Sequence, residues 1–344
     1  PAKARRLYVY NGGFLTQSRI RRILTLSGYR ISVGLPGVDD LVGVWGNSPT
    51  AHRGLDIAAR RKTRVVYTED AFLRSLFPGR AGGPPLGLLI DHKCPHFDPK
   101  IPSDLEDILS SHPLDDTALL NRARGSIARL DAANMSKYPA YGTDADQTRG
   151  DATVTASGAD RNRFLEMLFV AQDEHPGAPV LIKAHPETAQ GYREGYFTEA
   201  DCNDRVKILD SPVSPWTLME GAIAVYTVSS GLGFEAILAG HKPRTFGQPF
   251  YAGWGLTQDE FPVQRRQRRL TRAQLFAATM EIYPKWYDPY RDRLCDLGTA
   301  IETLAAETRA WRADHSGWGA SGLRLLNRKP LQRFFGAHTP IVFE

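Results

Sequence analysis

A strand, a Ser/Gly turn and a helix follow one another near residue 230, and this unit constrains the fold more than any other segment. Residues 225–228 are β-formers, residues 229–233 supply two serines and two glycines, and a helix begins at Phe234 and ends at Gly240. Small residues let a ligand approach the backbone closely, and the free N–H groups of a helix N-terminus favour phosphate or carboxylate. The same turn also occurs in α/β proteins for packing alone.

Strands and helices alternate along the rest of the chain. Strand-like runs lie at residues 7–10, 43–46, 64–67, 86–90, 180–183, 206–209 and 223–228, and helical stretches at 18–27, 50–61, 104–109, 115–130 and 161–174. Such alternation favours parallel sheets. We predict an α/β protein with two Rossmann-like domains facing a cleft, at residues 1–140 and 141–300. A helical, basic tail is expected at 301–344, with the elements after about Thr271 crossing back to the first domain.

Length and cysteine usage bound the class of protein. A chain of 344 residues is long enough for one or two domains with sizeable cores. No apolar run approaches the roughly 20 residues needed to span a membrane, and the first residues show no secretory signal region. Cys94, Cys202 and Cys295 are widely spaced and odd in number, which predicts neither a disulfide framework nor a zinc site and fits a reducing cytoplasm.

The net charge is +5, and two segments carry clusters of basic residues. The basic residues are Arg265, Arg266, Arg268, Arg269 and Arg272 in the first, and Arg324, Arg328, Lys329 and Arg333 in the second. They form either an ordinary solvated surface or a contact for an anionic membrane or acidic glycan. Leu331, Phe334 and Phe335 make the second segment amphipathic, which favours a membrane or partner contact. Nucleic acid is a poorer interpretation because no helix-turn-helix, zinc-finger or RNA-binding signature is present.

Seven blocks of the sequence carry a family resemblance. They are VYTEDAFLRS at 66–75, PPLGLLIDHKCPHFD at 84–98, SKY at 136–138, DQTRGDA at 146–152, KAHPE at 183–187, FGQPFYAGWG at 246–255 and YDPY at 287–290. In this order they resemble the capsule polysaccharide biosynthesis proteins of the KpsC/LipA type, which are bacterial β-Kdo glycosyltransferases. Kdo is the acidic eight-carbon sugar 3-deoxy-manno-octulosonic acid.

The resemblance implies a GT-B-type arrangement of the two domains, with the acceptor on the first and the donor on the second. It implies CMP-β-Kdo as the donor and a Kdo-terminated lipid of the lyso-phosphatidylglycerol type as the acceptor, with neither cofactor nor metal. The chain looks like a single module, most like the N-terminal of the two modules that family members carry. Its expected place is cytoplasmic and peripheral to the inner membrane, where a second module and capsule assembly proteins are possible partners.

Donor-binding candidates follow two predicted strands. Lys183 and His185, with Pro186, follow the strand at 180–182, and ligands bind at the carboxyl ends of parallel strands. Ser229, Ser230 and Gly233 form the turn after a second strand. Glu235 is either a charge favoured by the helix dipole or an acceptor for a ribose hydroxyl. By resemblance, Gln147 orients the sugar and Arg149 binds the donor carboxylate or keeps the carboxyl of Asp151 ionised.

Three acidic residues are the catalytic candidates. The family product retains the donor configuration, and double displacement then needs a carboxylate nucleophile, for which Asp151 is the candidate. Its alternative role is to cap the next helix. Glu69 and Asp70 follow a strand of the first domain, and one of them is a candidate general base unless both belong to a solvated turn. Acceptor contacts are predicted at Arg74, Tyr251 and Trp254.

The chain departs from the family pattern before Asp146. The family motif normally follows a hydrophobic strand, but here it follows residues 142–146, GTDAD, which cannot form one. A core strand is therefore either missing or lies in residues absent from the sequence. Asp144 and Asp146 also match a metal-binding DxD pattern, which we interpret as incidental. Two further functions stay open: another CMP-sugar transferase of the sialyltransferase kind, and a non-catalytic binding module of capsule assembly.

Overall fold

The computed structural model describes residues 4–46, 48–77, 79, 82–137, 151–184, 194–209, 213–315 and 339–343. Its strands form two sheets, as the α/β prediction requires, and helices pack on both. The α-helices are α1 Gly13–Thr16, α2 Ser18–Leu26, α3 Ala51–Arg61, α4 Asp104–Ser111, α5 Thr117–Ala132, α6 Ala152–Ala156, α7 Arg161–Glu174, α8 Pro215–Glu220, α9 Gly231–Leu238, α10 Arg272–Phe276 and α11 Leu297–His315. A 3-10 turn at Glu199–Asp201 and a π-helical stretch at Ala277–Ile282 complete them.

The first sheet has seven strands in the order β12-β11-β5-β4-β3-β1-β2. They are β1 Arg5–Val9, β2 Tyr29–Ser32, β3 Leu41–Trp45, β4 Arg64–Asp70, β5 Gly87–Asp91, β11 Lys285–Asp288 and β12 Arg293–Cys295. Strands β1 to β4 are parallel, whereas β5, β11 and β12 add to them in antiparallel pairs. The prediction of a parallel sheet is therefore wrong at this edge. A parallel pair needs a long crossover, and the residues described between β4 and β5 contain no α-helix.

The second sheet has six strands in the order β10-β9-β8-β13-β6-β7, all parallel. They are β6 Val180–Lys183, β7 Val206–Leu209, β8 Ala222–Thr227, β9 Arg244–Thr245, β10 Gln258–Asp259 and β13 Thr339–Phe343. The helix capped by the Ser/Gly turn, α9, follows β8 directly. Ser230 begins it and accepts a hydrogen bond from the N–H of Leu232.

The last part of the chain contributes to both sheets. Strand β11 pairs with β5, so the segment after Thr271 does cross back to the first sheet. Within the helical tail expected at 301–344, α11 continues to His315, whereas residues 339–343 form β13 between β8 and β6. This buried strand lies at a central position of the second sheet.

Replacing a core side chain of β13 should destabilise the second sheet. Ile341 is 1% exposed, and we expect Ile341→Ala to lower the free energy of unfolding by about 2–5 kcal/mol, because it leaves a cavity between two strands. Urea titration measures this change. Ile223→Ala in β8 is the control, since Ile223 is 40% exposed and a loss within about 0.5 kcal/mol is expected there. Equal losses for both variants would contradict a central position for β13.

Apolar packing joins the two halves of the molecule, each of which is built on one of the two sheets. One buried cluster contains Leu130 and Met135 from the first half together with Trp216, Phe234 and Phe250 from the second. The indole N–H of Trp216 donates to the carbonyl of Met135 at 3.1 Å. These contacts hold the two sheets side by side. Among the described residues, no helix is both long and apolar enough to cross a membrane.

Candidate functional site

A cavity of about 250 Å³ lies between the two halves, where β4 and β8 end. Its polar lining comes from both halves: Glu69, Asp70, His96, Lys137, Asp151, Thr153, Ser229 and Glu235. Its apolar lining consists mainly of Phe72, Leu130, Met135, Trp216, Phe234, Leu238, Pro249, Phe250 and Met280. Ligands bind at the carboxyl ends of parallel strands, so this cavity is the candidate site.

The carboxyl group of Glu69 in the cavity has a strongly raised pKa. Its burial, and next the charge of Asp70, raise the pKa of Glu69 from 4.5 to about 8. Lys137 opposes this rise and Asp151 adds to it, so the carboxyl groups of Glu69 and Asp151, two of the three predicted catalytic groups, lie close enough to interact. Glu69 is therefore protonated at neutral pH in the absence of a ligand. A carboxyl group with its pKa near the working pH suits proton transfer.

Gly46 fixes where the Glu69 carboxyl group can lie. Gly46 follows β3 and has a φ of +38°, which favours glycine, and a Cβ placed on it would lie 1.5 Å from Oε1 of Glu69. The carboxyl group therefore occupies the space beside this backbone. A glycine after a strand is a common feature, and the sequence gives no indication that this one contacts a catalytic candidate.

Gly46→Ala tests this packing. The added methyl group must displace the Glu69 side chain, so we expect activity to fall about 10- to 100-fold with a loss of stability of about 1–2 kcal/mol. Turnover and thermal unfolding measure the two effects separately. Gly12→Ala in the neighbouring loop is the control, because a Cβ there meets nothing within 4 Å. Unchanged turnover in Gly46→Ala would show that the position of Glu69 is not critical.

Asp151 lies at the start of α6 and lines the cavity. Its Oδ1 accepts hydrogen bonds from the N–H of Thr153, at 2.8 Å, and from the hydroxyl of Thr153. The predicted alternative role, helix capping, is thus present, and it leaves the carboxyl group facing the cavity. The hydroxyl of Ser229 donates to Oγ1 of Thr153 at 3.3 Å, so the turn after β8 and the start of α6 support each other.

The Ser/Gly turn divides into a cavity residue and supporting residues. Ser229 lines the cavity, but Ser230 is fully buried and caps α9. Gly233 leaves room for a neighbour, because a Cβ there would lie 2.1 Å from the hydroxyl oxygen of Tyr251. That hydroxyl donates to the carbonyl of Ser230 at 2.6 Å. We infer that Ser230 and Gly233 shape the turn and that Ser229 is its cavity-facing side chain.

Comparison with known proteins is consistent with this arrangement. A family model described as capsule polysaccharide biosynthesis protein matches residues 116–283. The capsule polysaccharide modification protein LipA of Neisseria meningitidis serogroup B is 32% identical over 332 residues, which are 89% of this chain and 47% of LipA. The chain thus spans about half the length of this relative. The lipopolysaccharide-processing protein LpsZ of Rhizobium meliloti is 33% identical over 256 residues, 70% of this chain and 58% of LpsZ.

Solved structures give the decisive likeness. The β-Kdo 2,4 transferase of Thermosulfurimonas dismutans KpsC superposes with a TM-score of 0.81 and 29% identity, covering 89% of this chain and 99% of that one. This chain is a KpsC/LipA-type protein. The β-Kdo 2,7 transferase of the same KpsC has a TM-score of 0.68 at 23% identity and covers 88% of this chain and 99% of its own, which shows the shared fold. The two-domain α/β prediction of GT-B type is confirmed.

The three residues predicted as acceptor contacts in this KpsC/LipA-type chain do not line the cavity. Tyr251 and Trp254 are fully buried, and the indole N–H of Trp254 donates to the carbonyl of Phe250. Arg74 is 3% exposed, lies 2.7 Å from Asp70 in an ion pair and donates to the carbonyl of Gly83. All three side chains are buried behind the residues that line the cavity. Aromatic residues of a loop become part of the core where a neighbouring element covers them.

The first basic segment is also structural. Arg265 and Arg266 both bind the buried carboxylate of Glu106, and Arg266 donates to the carbonyls of Pro249 and Ala252. In the same segment, Arg268 donates to the carbonyls of Leu109, His112 and Pro113, and Arg272 to that of Leu238. These arginines therefore hold the aromatic loop and helix ends of the KpsC/LipA-type fold.

The remaining donor-binding predictions have different outcomes. Glu235 lines the cavity and accepts a hydrogen bond from the hydroxyl of Ser136 at 2.7 Å, which links α9 to the SKY segment. Lys183 is 1% exposed within β6 and does not line the cavity. The other predicted residues lie outside the described residues: Gln147, Arg149, His185 and Pro186, together with Asp144, Asp146 and the basic segment 324–333. Within the described residues, no group of three acidic, His or Cys side chains could hold a metal ion.

Sequence reasoning missed His96, which lines the cavity. Its ring packs edge-on against Phe72, Phe97 and Phe250, and Nδ1 is buried with no hydrogen-bond partner among the described residues. Burial, and next the charge of Lys137, lower the pKa of His96 to about 3. The imidazole is thus a neutral hydrogen-bonding group here. The rule for the ends of parallel strands could not find His96, because it follows the antiparallel strand β5.

Proposed function

We propose that this chain is a retaining β-Kdo glycosyltransferase module, which transfers Kdo from CMP-β-Kdo to a Kdo-terminated glycolipid during synthesis of a capsule polysaccharide linker. The meeting of Glu69 and Asp151 in one cavity, each from a different half, is the observation that carries this proposal. The name of the solved structural relative, a β-Kdo 2,4 transferase, supports the sugar. In this proposal the first domain binds the acceptor and the second binds the donor.

The proposed reaction proceeds by double displacement. The Asp151 carboxylate attacks the anomeric carbon of the donor, the bond to the phosphate oxygen of CMP breaks, and CMP leaves with the electron pair. The acceptor hydroxyl then attacks the same carbon, the bond to Asp151 breaks, and ionised Glu69 receives the hydroxyl proton. Two inversions give net retention of configuration. Both carboxyl groups must be ionised at their respective steps.

Positioning in this mechanism falls to the other cavity residues. Thr153 holds Oδ1 of Asp151 through two hydrogen bonds, which directs the carboxylate, and Ser229 supports Thr153. Lys137 lies near enough to lower the pKa of Glu69, so its charge favours the ionised base. We propose that Ser229 and Glu235 contact the nucleotide and that neutral His96 accepts or donates a hydrogen bond to a sugar hydroxyl.

Donor competition tests the function. The purified chain is incubated with CMP-Kdo and a soluble acceptor that ends in Kdo, and product mass and released CMP are recorded. Addition of one Kdo, undiminished by excess CMP-sialic acid, is the expected result. Inhibition and transfer of sialic acid would instead favour another CMP-sugar transferase. Binding of CMP-Kdo without any turnover would favour a non-catalytic module of capsule assembly.

A further inference from the structure

Four exposed aliphatic side chains lie at one end of the first sheet. Leu15, Val33, Leu35 and Val38 are 43%, 66%, 62% and 83% exposed, and we call them the apolar rim. Scattered surface leucines and valines are ordinary, but here three lie within six consecutive residues. A group of exposed aliphatic side chains at one place is typical of a surface that a membrane or a partner covers.

The topology places the apolar rim on the same side of the sheet as the cavity. Leu15 follows β1, and the loop at 33–40 follows β2, so both lie at the carboxyl ends of parallel strands. Strand β4, which carries Glu69, ends at this same edge. Strand β2 is three positions from β4, a separation of about 14 Å at the usual spacing of strands.

The loop is held in place by specific contacts. The hydroxyl of Tyr10 donates to the carbonyl of Gly34 at 2.8 Å, and Nε of Arg61 donates to the carbonyl of Pro36 at 3.1 Å. The N–H of Gly37 donates to Oδ2 of Asp40 at 2.7 Å. Anchoring at both ends and at the centre presents the three loop side chains outward as a fixed feature of the fold.

The first 64 residues are rich in basic side chains, and two exposed arginines adjoin the apolar rim. Residues 4–64 contain eleven arginines and lysines but three aspartates, an excess of eight, against a net charge of +5 for the whole chain. Arg21 and Arg30 are exposed, and they line one open depression together with Leu15 and Val33 along the outer side of β2. Apolar and basic side chains are therefore contiguous on this surface.

We propose that the apolar rim, with Arg21 and Arg30, docks this domain on an anionic membrane surface. Aliphatic side chains enter the boundary between headgroups and acyl chains, while arginines bind the lipid phosphates. The rim consists of aliphatic groups, whereas single-stranded nucleic acid is bound mainly by stacking on aromatic ones. Docking at this edge turns the cavity mouth toward the bilayer. That last consequence rests on the proposed function, since it brings the cavity to a lipid-linked acceptor.

Vesicle flotation without any substrate tests the docking directly. Phosphatidylcholine vesicles with and without phosphatidylglycerol serve as probes, because anionic headgroups attract basic segments. Wild type should bind the anionic vesicles. Arg21→Gln and Arg30→Gln should each weaken binding about fivefold, and Val33→Asp with Leu35→Asp and Val38→Asp should abolish it. The matched controls are Phe169→Asp, at a side chain that is 68% exposed in the second half, and Arg293→Gln on the opposite edge strand, and both should bind normally.

The outcomes separate docking from catalysis. The rim variants should keep wild-type turnover on a soluble acceptor and lose it on the same acceptor carried by vesicles. Vesicle binding that is equal in rim and control variants would overturn the proposal, whatever the catalytic result. Weak vesicle binding would also overturn the proposal if the wild type instead dimerised or bound single-stranded DNA and the rim variants lost that property. Because all the altered side chains are exposed, unchanged thermal unfolding should confirm that the variants fold.

Discussion

Glu69→Gln is expected to lower transfer about 10²- to 10⁴-fold, because the amide cannot accept the proton of the acceptor hydroxyl. The near-equal size of the amide keeps the packing against Gly46, so donor binding and thermal stability should survive. Steady-state turnover and CMP-Kdo binding measure these effects. Glu307→Gln is the control, since burial also raises the pKa of Glu307 but this residue lies in α11, away from the cavity. Equal turnover in both variants would remove Glu69 from the mechanism.

The pH dependence of transfer is a second test of the role of Glu69. The Glu69 pKa is raised to about 8, so the base form is a minority at pH 7 and grows as the pH increases. We therefore expect kcat/KM of the wild type to rise with pH, with a midpoint near 8, and Glu69→Gln to lack this step. A fall in kcat/KM through the same range would assign Glu69 the opposite role, that of an acid.

The stability of the fold should fall with increasing pH where kcat/KM rises, because both depend on the proton of Glu69. The unfolded chain releases the Glu69 proton near pH 4.5, whereas the folded chain keeps it until about pH 8. The stabilisation that the Glu69 proton gives the folded state is therefore complete below pH 4.5, declines between pH 4.5 and 8, and is lost above pH 8. Urea unfolding of the wild type and of Glu69→Gln across this window should show a smaller decline in the variant.

Local elements of the fold could be predicted well from the sequence. The helix at Arg161–Glu174 and the strands at Val180–Lys183 and Val206–Leu209 lie where apolar spacing and β-formers indicated. Their signals are contained within the segments themselves. Strand β13 shows the limit, because residues 339–343 are short and take their place only through pairing with β6 and β8. No local pattern reports such a distant partner.

The site was predictable where it depends on strand ends and not where it depends on packing. Glu69 and Asp70 end strand β4 and Ser229 follows β8, and the carboxyl ends of these strands meet at the cavity, so topology brings the three residues together. Tyr251 and Trp254 fit a ligand-binding loop by composition, yet Arg266 and Glu106 hold that loop down on the core. That ion pair joins residues 160 positions apart, which sequence reasoning could not pair.

Asp151→Asn separates the two roles of Asp151. Asparagine is as good a helix cap as aspartate, so the hydrogen bond from Thr153 should remain and stability should change little. The amide cannot form the glycosyl–enzyme bond, and transfer should fall by at least about 10³-fold. Asp151→Ala should lose transfer to the same degree and, because the cap is gone, also about 1 kcal/mol of stability. Turnover and urea unfolding of both variants give the comparison.

The matched control is Asp160, which caps α7 by accepting from the N–H of Arg163 and does not line the cavity. Asp160→Asn and Asp160→Ala should reproduce the stability pattern of the Asp151 variants while turnover stays at the wild-type level. Intact-mass spectra of the wild type with CMP-Kdo alone should show one added Kdo, absent in Asp151→Asn. If Asp151→Asn transfers as well as the wild type, Asp151 is only a helix cap, and retention must then arise without a covalent intermediate at this residue.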